Sequence, residues 1–470
     1  MPDFQRMAIL NLRTELQRGR NEFVGQTFSS DILITPEDVR SFERLTFRDC
    51  IFQKAISVDG INSNSFYLKF HNCQFDEELD ILRCIVQELQ VSFIKKLRSI
   101  TIYGGVFSTI RIDSNNLELD GDVIIENCYV KNTLDCSKLH LSTGQFSLNL
   151  KNEFAGTSEN YVTHFENSVF KAASFNSYFG RDANFRNFKI LKTCVFHRCD
   201  FKKVSFEYAA FGETTQFIDC KFYSYSGFEE CKGLNSTHIF FKSCLFKSFP
   251  HFNNSKFNHL EVVHSTFERK VSFDQIETNT LKFYQVTFHE VVFFDEIRIN
   301  ALNDLSFFKN LSLHDIVEWK RSLRLIKQEL QKADNQIDYH RFKAYELDAY
   351  RMEISETKDL KNYIILFLNS YSSNHGLDWW KGVRFTLCTT IAFFSLYFAF
   401  QNFSNELHVS WKTTHSFVQE YFRFIIPTEF DYFYAKGFSN LAAILIFTLG
   451  KIALGYGIYQ TVVAFRKFKI

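Results

Sequence analysis

From Phe165 onward, large apolar rings recur at every fifth position. Phe165, Phe170 and Phe175 share one phase with Phe185, and after a slip of one residue Phe196, Phe201, Phe206 and Phe211 continue it. Phe217 and Phe222 follow another slip, then Phe252, Phe257, Val262 and Phe267, and last Phe283, Phe288 and Phe293. Two residues before most of these stands a small or β-branched side chain: Ser168, Ala173, Ala183, Cys194, Cys199, Val204, Ala209, Thr215, Cys220, Cys244, Ser255, Val271, Val286 and Val291. The same pairs occur earlier as Leu45/Phe47, Cys50/Phe52, Leu68/Phe70 and Cys73/Phe75. A period of five matches neither a helix nor a strand. It suits a coil whose short sides each turn one large and one small residue inward before the chain rounds a corner. Such coils stack about 4.8 Å apart, each burying its faces only against its neighbours. Between residues 81 and 164 the pattern weakens, and Ile100, Ile102, Ile110, Ile112, Leu117 and Leu119 alternate like ordinary β-solenoid strands. The register slips mark bulges or loops at corners.

The period changes after Phe308. Trp319, Leu323, Ile326 and Leu330 make one amphipathic stripe and Phe342, Tyr345, Ala349 and Met352 a second, with a polar turn between, so two antiparallel helices are expected. Glu329, Glu346, Asp348 and Glu353 among Lys and Arg are read as the solvated face of a cap closing the solenoid, rather than as a partner-binding surface.

Two apolar segments follow. Phe385–Phe400 carries no charge, and is preceded by Trp379 and Trp380 as interfacial aromatics and by Lys381 and Arg384 as basic flanks. Leu441–Phe465 ends in Arg466, Lys467 and Lys469. The segment 404–437 has no basic excess, so the positive-inside rule places residues 1–380 and the C-terminus in the cytoplasm of a multi-pass inner-membrane protein. Lys451, in the middle of the second span, needs a partner, a cavity or an interface. The first span offers no acid, which leaves a neighbouring chain, backbone carbonyls or water. Ala453, Gly457 and Thr461 recur every four residues, the small-residue pattern that draws membrane helices together. Gly455-Tyr456-Gly457 invites comparison with a potassium filter, but too few residues follow it to form an inner helix, so it is read as helix packing.

Composition narrows the function. Across 470 residues, 54 Lys+Arg nearly balance 53 Asp+Glu, which argues against nucleic acid as a partner. With 57 Phe against 20 Tyr and 4 Trp, the aromatic content goes into rings with no polar tip to satisfy. The 11 Cys include no CxxC, and Cys50, Cys73, Cys194, Cys199, Cys220 and Cys244 fall at the small inward position as compact hydrophobes. No phosphate-binding loop, HExxH, GxSxG or GxGxxG occurs, so neither enzyme, metal nor cofactor is expected. The N-terminal twenty residues do not read as a signal peptide.

CVFHRCDFKKVSFEYAAF (Cys194 to Phe211) and FIDCKF (Phe217 to Phe222) resemble pentapeptide-repeat proteins. The resemblance implies a right-handed, four-sided parallel β-helix with about four units per coil. SSNHGLDWW and GYGIYQTVVAFRKF resemble bacterial membrane-bound members of that family, which end in a two-helix transmembrane, ion-channel-like segment. The expected organisation is an N-terminal cap over 1–41, a β-helix over 42–308 with Phe170, Phe175, Phe196, Phe201, Phe206, Phe211 and Phe222 in its core, a cytoplasmic helical segment over 309–380, and two transmembrane helices over 381–470. The expected role is a β-helix that binds an unknown protein ligand, coupled to a homo-oligomeric, membrane-perturbing or channel-like helix pair in phage or stress defence. The alternative is a passive membrane-tethered scaffold. A DNA-mimicking gyrase binder is disfavoured, because residues 165–300 carry 17 Lys+Arg against 15 Asp+Glu.

Overall fold

The computed structural model describes residues 12–150, 162–234, 237–304, 306–401, 411–439 and 441–466. The chain divides into two compact units, Met1–Asp304 and Leu305–Ile470.

The first unit is a parallel β-solenoid of about 12 turns. Two short helices, α1 (Leu12–Gln17) and α2 (Pro36–Val39), accompany its first turns. Strands pair in parallel one coil ahead, for example Cys194 with Thr215 and Phe196 with Phe217. The first strand is Glu22–Val24, paired with Thr46–Arg48, so coiling begins within the segment the sequence assigned to a cap. The stretch after residue 81 also coils, on long strands such as Glu78–Ser92 and Ser99–Ile112. There Ile100, Ile102, Ile110, Ile112 and Leu119 are buried, whereas Leu117 is 52% exposed.

The Phe periodicity becomes columns of rings. Phe165, Phe185, Phe206, Phe228, Phe252, Phe273 and Phe294 stack in succession, with centroids 4.8, 4.8, 5.0, 4.8, 4.9 and 5.3 Å apart. Phe175, Phe196, Phe217 and Phe241 form a second column, and Phe179, Phe201, Phe222, Phe246 and Phe267 a third. Phe170 stacks on Phe146, and Phe211 lies on the remaining side, fully buried. Rings in adjacent columns meet edge to face, as Phe185 and Phe196 do at 83°. Each ring therefore stacks along the axis and is T-shaped across it, the two arrangements its quadrupole favours. The last coil departs from the expected phase. Phe288 still stacks on Phe267 at 5.1 Å, but Phe294 and Val292 point inward where Phe293 and Val291 were expected, and Phe293, Val286 and Val291 are only half-buried. The run of two adjacent phenylalanines had concealed that slip.

The small column does more than save space. The thiols of Cys199, Cys220, Cys231 and Cys244 donate to the carbonyls of Phe175, Phe196, Phe206 and Phe217 in the preceding coil, at 3.2, 3.2, 3.1 and 3.3 Å. Ser255 does the same to Phe228 at 2.6 Å. One corner of each coil turns on a residue in the left-handed region: Asn167, Asn187, Tyr208, Glu230, Asn254, Gln275 and Glu296 succeed one another there.

The second unit is helical. α3 (Leu313–Lys332) and α4 (Gln336–Glu356) are capped by Ser312 and Asn335, whose side chains accept from the amides of Asp315 and Asp338. Trp319, Leu323, Ile326, Leu330 and Phe342 are buried between them, as expected. Their charges are not a solvated face. Glu346 accepts from Arg324 at 2.7 Å and Lys327 at 2.5 Å, Glu353 pairs with Lys320, and both Glu346 and Glu329 are buried. Then come α5 (Leu360–Ser373), α6 (Trp379–Gln401), α7 (Trp411–Ile425), α8 (Asp431–Lys436) and α9 (Leu441–Arg466).

Candidate functional site

α6 and α9 are each long and apolar enough to cross a membrane. They pack antiparallel through small residues placed reciprocally. A side chain at Gly457 would come within 2.3 Å of Thr386 Oγ1, and one at Gly382 within 2.8 Å of Thr461 Oγ1. Both threonine hydroxyls donate back to their own helix, to Gly382 O at 2.8 Å and Gly457 O at 2.9 Å, so their protons are satisfied within the seam. Gly457 and Thr461 thus join α9 to α6 of the same chain. Ala453 is half-buried, and Gly455 is exposed with nothing within 4 Å of a would-be Cβ.

Trp379 stacks on Phe465 at 5.2 Å, so the beginning of α6 meets the end of α9. Trp379 and Trp380 are 39% and 52% exposed, and Arg384 and Arg466 are exposed beside them. Lys381 is half-buried and donates to Ser370 O at 2.8 Å, closing the C-terminal turn of α5. Lys467 lies outside the described residues.

Lys451 is 8% exposed. Its ammonium donates to the carbonyls of Phe424 at 3.0 Å and Ile426 at 2.7 Å, where α7 ends ahead of Pro427. Four rings surround it: Phe424, Phe430, Phe433 and Phe447, with centroids 5.2, 5.1, 5.8 and 5.6 Å away. A cation at a helix C-terminus meets the negative end of the helix dipole, and ring faces add cation–π attraction. Of the partners open to it from sequence, backbone carbonyls are the ones it finds. The need is met within one chain, so this lysine no longer argues for a second copy.

α7 and α8 are the parts that sequence reasoning missed. Phe417 and Phe424 lie 5.0 and 5.4 Å from Phe394, Tyr421 OH is 3.3 Å from Thr390 Oγ1, and Phe433 is 5.8 Å from Tyr397. Glu420, 4% exposed, accepts from Ser416 at 2.9 Å and Lys436 at 2.7 Å. The signal is Phe417, Tyr421 and Phe424, a stripe of helical spacing within the segment 404–437. α5 was missed as well. Ile364, Ile365, Phe367 and Tyr371 are 46, 62, 45 and 61% exposed, whereas its other end is tied to α9 by Ser373 Oγ donating to Gln460 Oε1 at 2.8 Å.

On the solenoid, a groove of about 540 Å³ is lined by His164, Asp182, Asn184, Arg186, Lys203, Ser205, Glu207 and Tyr225. Tyr225 OH donates to Glu207 at 3.0 Å and reaches Glu229 at 3.2 Å. Burial pushes the Glu229 carboxyl above its ordinary value, and burial beside these acids pushes the Tyr225 hydroxyl up too. Glu229 is therefore a half-buried member of a polar cluster and not a solvated surface acid. No protein-family model, curated protein or solved structure matches this chain.

Proposed function

We propose that this chain is a membrane-anchored repeat protein whose solenoid binds a protein ligand and whose helical unit holds it in the bilayer. One observation carries the reading. Only 17% of the most apolar stretch of α6 and 28% of that of α9 is buried. Leu387, Ile391 and Leu396, with Leu445, Leu449 and Ile452, turn 44 to 63% of their surface outward. A core helix of a water-soluble domain would bury these side chains; hydrocarbon is the solvent that suits them. At about 1.5 Å per residue the two helices measure roughly 35 and 39 Å, enough for a 30 Å core. Trp379, Trp380, Arg384 and Arg466 at their joined ends mark the cytoplasmic interface, and the exposed apolar face of α5 suits the same interface. Sodium carbonate extraction of expressed protein tests the anchor: the chain stays with the membrane pellet, and release into the supernatant refutes the reading.

Within that frame an oligomeric, membrane-perturbing role is favoured over a passive tether. A tether needs two apolar helices. This unit also carries α7 and α8, and Ile452, Gly455, Tyr459 and Val462 make an outer α9 face that a second copy would cover in place of lipid. Ion flux in vesicles reconstituted with the full chain distinguishes the two. Flux that rises with protein-to-lipid ratio supports the active role, and tight vesicles at every ratio support the tether. Phage or stress defence would be the setting for such an element.

A further inference from the structure

We propose that α7 and α8 form a re-entrant hairpin, entering the bilayer to about its midplane from the side where α6 ends and α9 begins, with Lys451 as the cation that neutralises its carbonyl end. The proposal rests on α6 and α9 being the spans. Two rulers give the depth. Gln401 Nε2 donates to Gly437 O at 2.9 Å, which sets the end of α6 beside the approach to α9. From that end, α7 descends along α6 from Phe398, which meets Phe417 at 5.2 Å, to Thr390, which meets Tyr421. Eleven residues of helix separate Gln401 from Thr390, about 16 Å of rise. On α9, ten residues separate Leu441 from Lys451, about 15 Å. These place the Tyr421 hydroxyl and Lys451 about halfway through a hydrocarbon core of about 30 Å, with Phe424, against Phe394, about 10 Å in from Gln401.

The chemistry at that depth fits. A helix that stops in hydrocarbon leaves its last carbonyls without water, which is tolerated only when the protein supplies donors. Lys451 supplies two N–H groups, to Phe424 O and Ile426 O, and Pro427 adds no N–H of its own. The lysine and the helix end would each be costly alone and satisfy each other. The outer surface of the hairpin also matches acyl chains. Val418, Phe422, Ile426 and Tyr434 are 46, 66, 48 and 60% exposed at the levels where α6 and α9 expose their own apolar side chains. Of the charges that enter with it, Glu420 and Lys436 are paired to each other and Arg423 lies over the Tyr432 ring at 4.0 Å, while Glu429 precedes α8 and Asp431 begins it.

Single cysteines in a Cys388→Ser full chain, reconstituted in vesicles and treated with a membrane-impermeant maleimide, test this. Phe422→Cys and Leu396→Cys stay unlabelled from either side and label after detergent, whereas Ser439→Cys, exposed beside the end of α6, labels from one side. Labelling of Leu396→Cys in intact vesicles refutes α6 as a span. Protection of Leu396→Cys with labelling of Phe422→Cys refutes the re-entrant hairpin alone. Adding Lys451→Met releases the hairpin, so the labelling rate of Phe422→Cys rises to that of Ser439→Cys while Leu396→Cys remains protected. Lys451→Arg, which keeps a donor and a charge, preserves protection. Unchanged protection of Phe422→Cys with Lys451→Met overturns the role given to the lysine.

Discussion

The rings of Phe211 and Phe257 approach to 6.5 Å although a whole coil lies between their strands. The intervening position in that column is Gly233, paired with Phe211 on one side, while its neighbour Lys232 pairs with Lys256 on the other. Thr237 leans into the space, its hydroxyl donating to Phe211 O at 3.1 Å. A Cβ at 233 would stand 2.9 Å from Thr237 Cβ. Gly233→Ala should therefore destabilise the chain by about 1–3 kcal/mol, the usual cost of overpacking. Gly233→Ala with Thr237→Ala should recover part of that loss in thermal melts of the full chain in detergent. No recovery would mean that Thr237 is not what the new methyl meets.

Phe201 lies between Phe179 and Phe222, at 4.7 and 5.1 Å. Phe201→Ala leaves a cavity that stacked coils cannot collapse to fill, a loss of about 3–5 kcal/mol. Lys202→Ala, next along the chain and exposed, should stay within about 0.5 kcal/mol. Urea midpoints of the two variants, followed by strand circular dichroism, give the comparison.

Much of this solenoid was legible because a five-residue period cannot be mistaken for a helix or a flat strand. The rings named from Phe165 to Phe283 are buried as expected, but Phe179, Phe188, Phe228, Phe241, Phe246 and Phe273 also point inward where corner insertions break the period. Phe293 was mis-phased because Phe294 beside it serves the column equally well by letter. Leu117 alternated with Leu119 yet sits at a turn, where alternation carries no face. In the helical unit, burial and amphipathic spacing found α3, α4, α6 and α9, but the partner of Lys451 is a pair of carbonyls. Backbone groups have no letter, so that contact has no signature. α5 escaped because an apolar face turned outward looks the same in sequence as one turned inward.

Burial pushes the thiols of Cys84, Cys136, Cys194 and Cys231 upward, that of Cys84 to about 11. An acid whose pKa is higher folded than unfolded stays protonated in the fold while the unfolded chain releases its proton. Stability from these groups is thus fully present below about pH 8.5 and declines above it, by about 1.4 kcal/mol per pH unit for each thiol. Denaturation midpoints should be level from pH 7 to 8 and fall steeply between pH 9 and 10. Cys194→Ala should make that fall shallower. In the native protein in detergent, a thiol reagent at pH 8 should find Cys388 first, the exposed one of the 11.

Gly457→Leu and Gly455→Leu separate packing within the chain from packing between chains. The first places a side chain where Thr386 Oγ1 stands at 2.3 Å, so α6 and α9 must part, and melting in detergent should drop by an amount equivalent to about 1–3 kcal/mol. The second meets nothing within 4 Å and should leave melting unchanged. Crosslinking in membranes at Gly455→Cys reports whether that open face receives another copy, and a monomer under crosslinking would leave the helix pair as an anchor.

Because the coils of the solenoid pack mainly on the coil before and the coil after, length is an adjustable quantity in this protein. Excising residues 207–228 would hand the position of Phe228 to Phe206 beneath Phe252, with the same ring on both sides of the splice. A tandem duplication of one coil would be equally silent to its neighbours. Slippage during replication could thus lengthen or shorten the solenoid in whole-coil steps, while the helical unit and its lysine stay untouched.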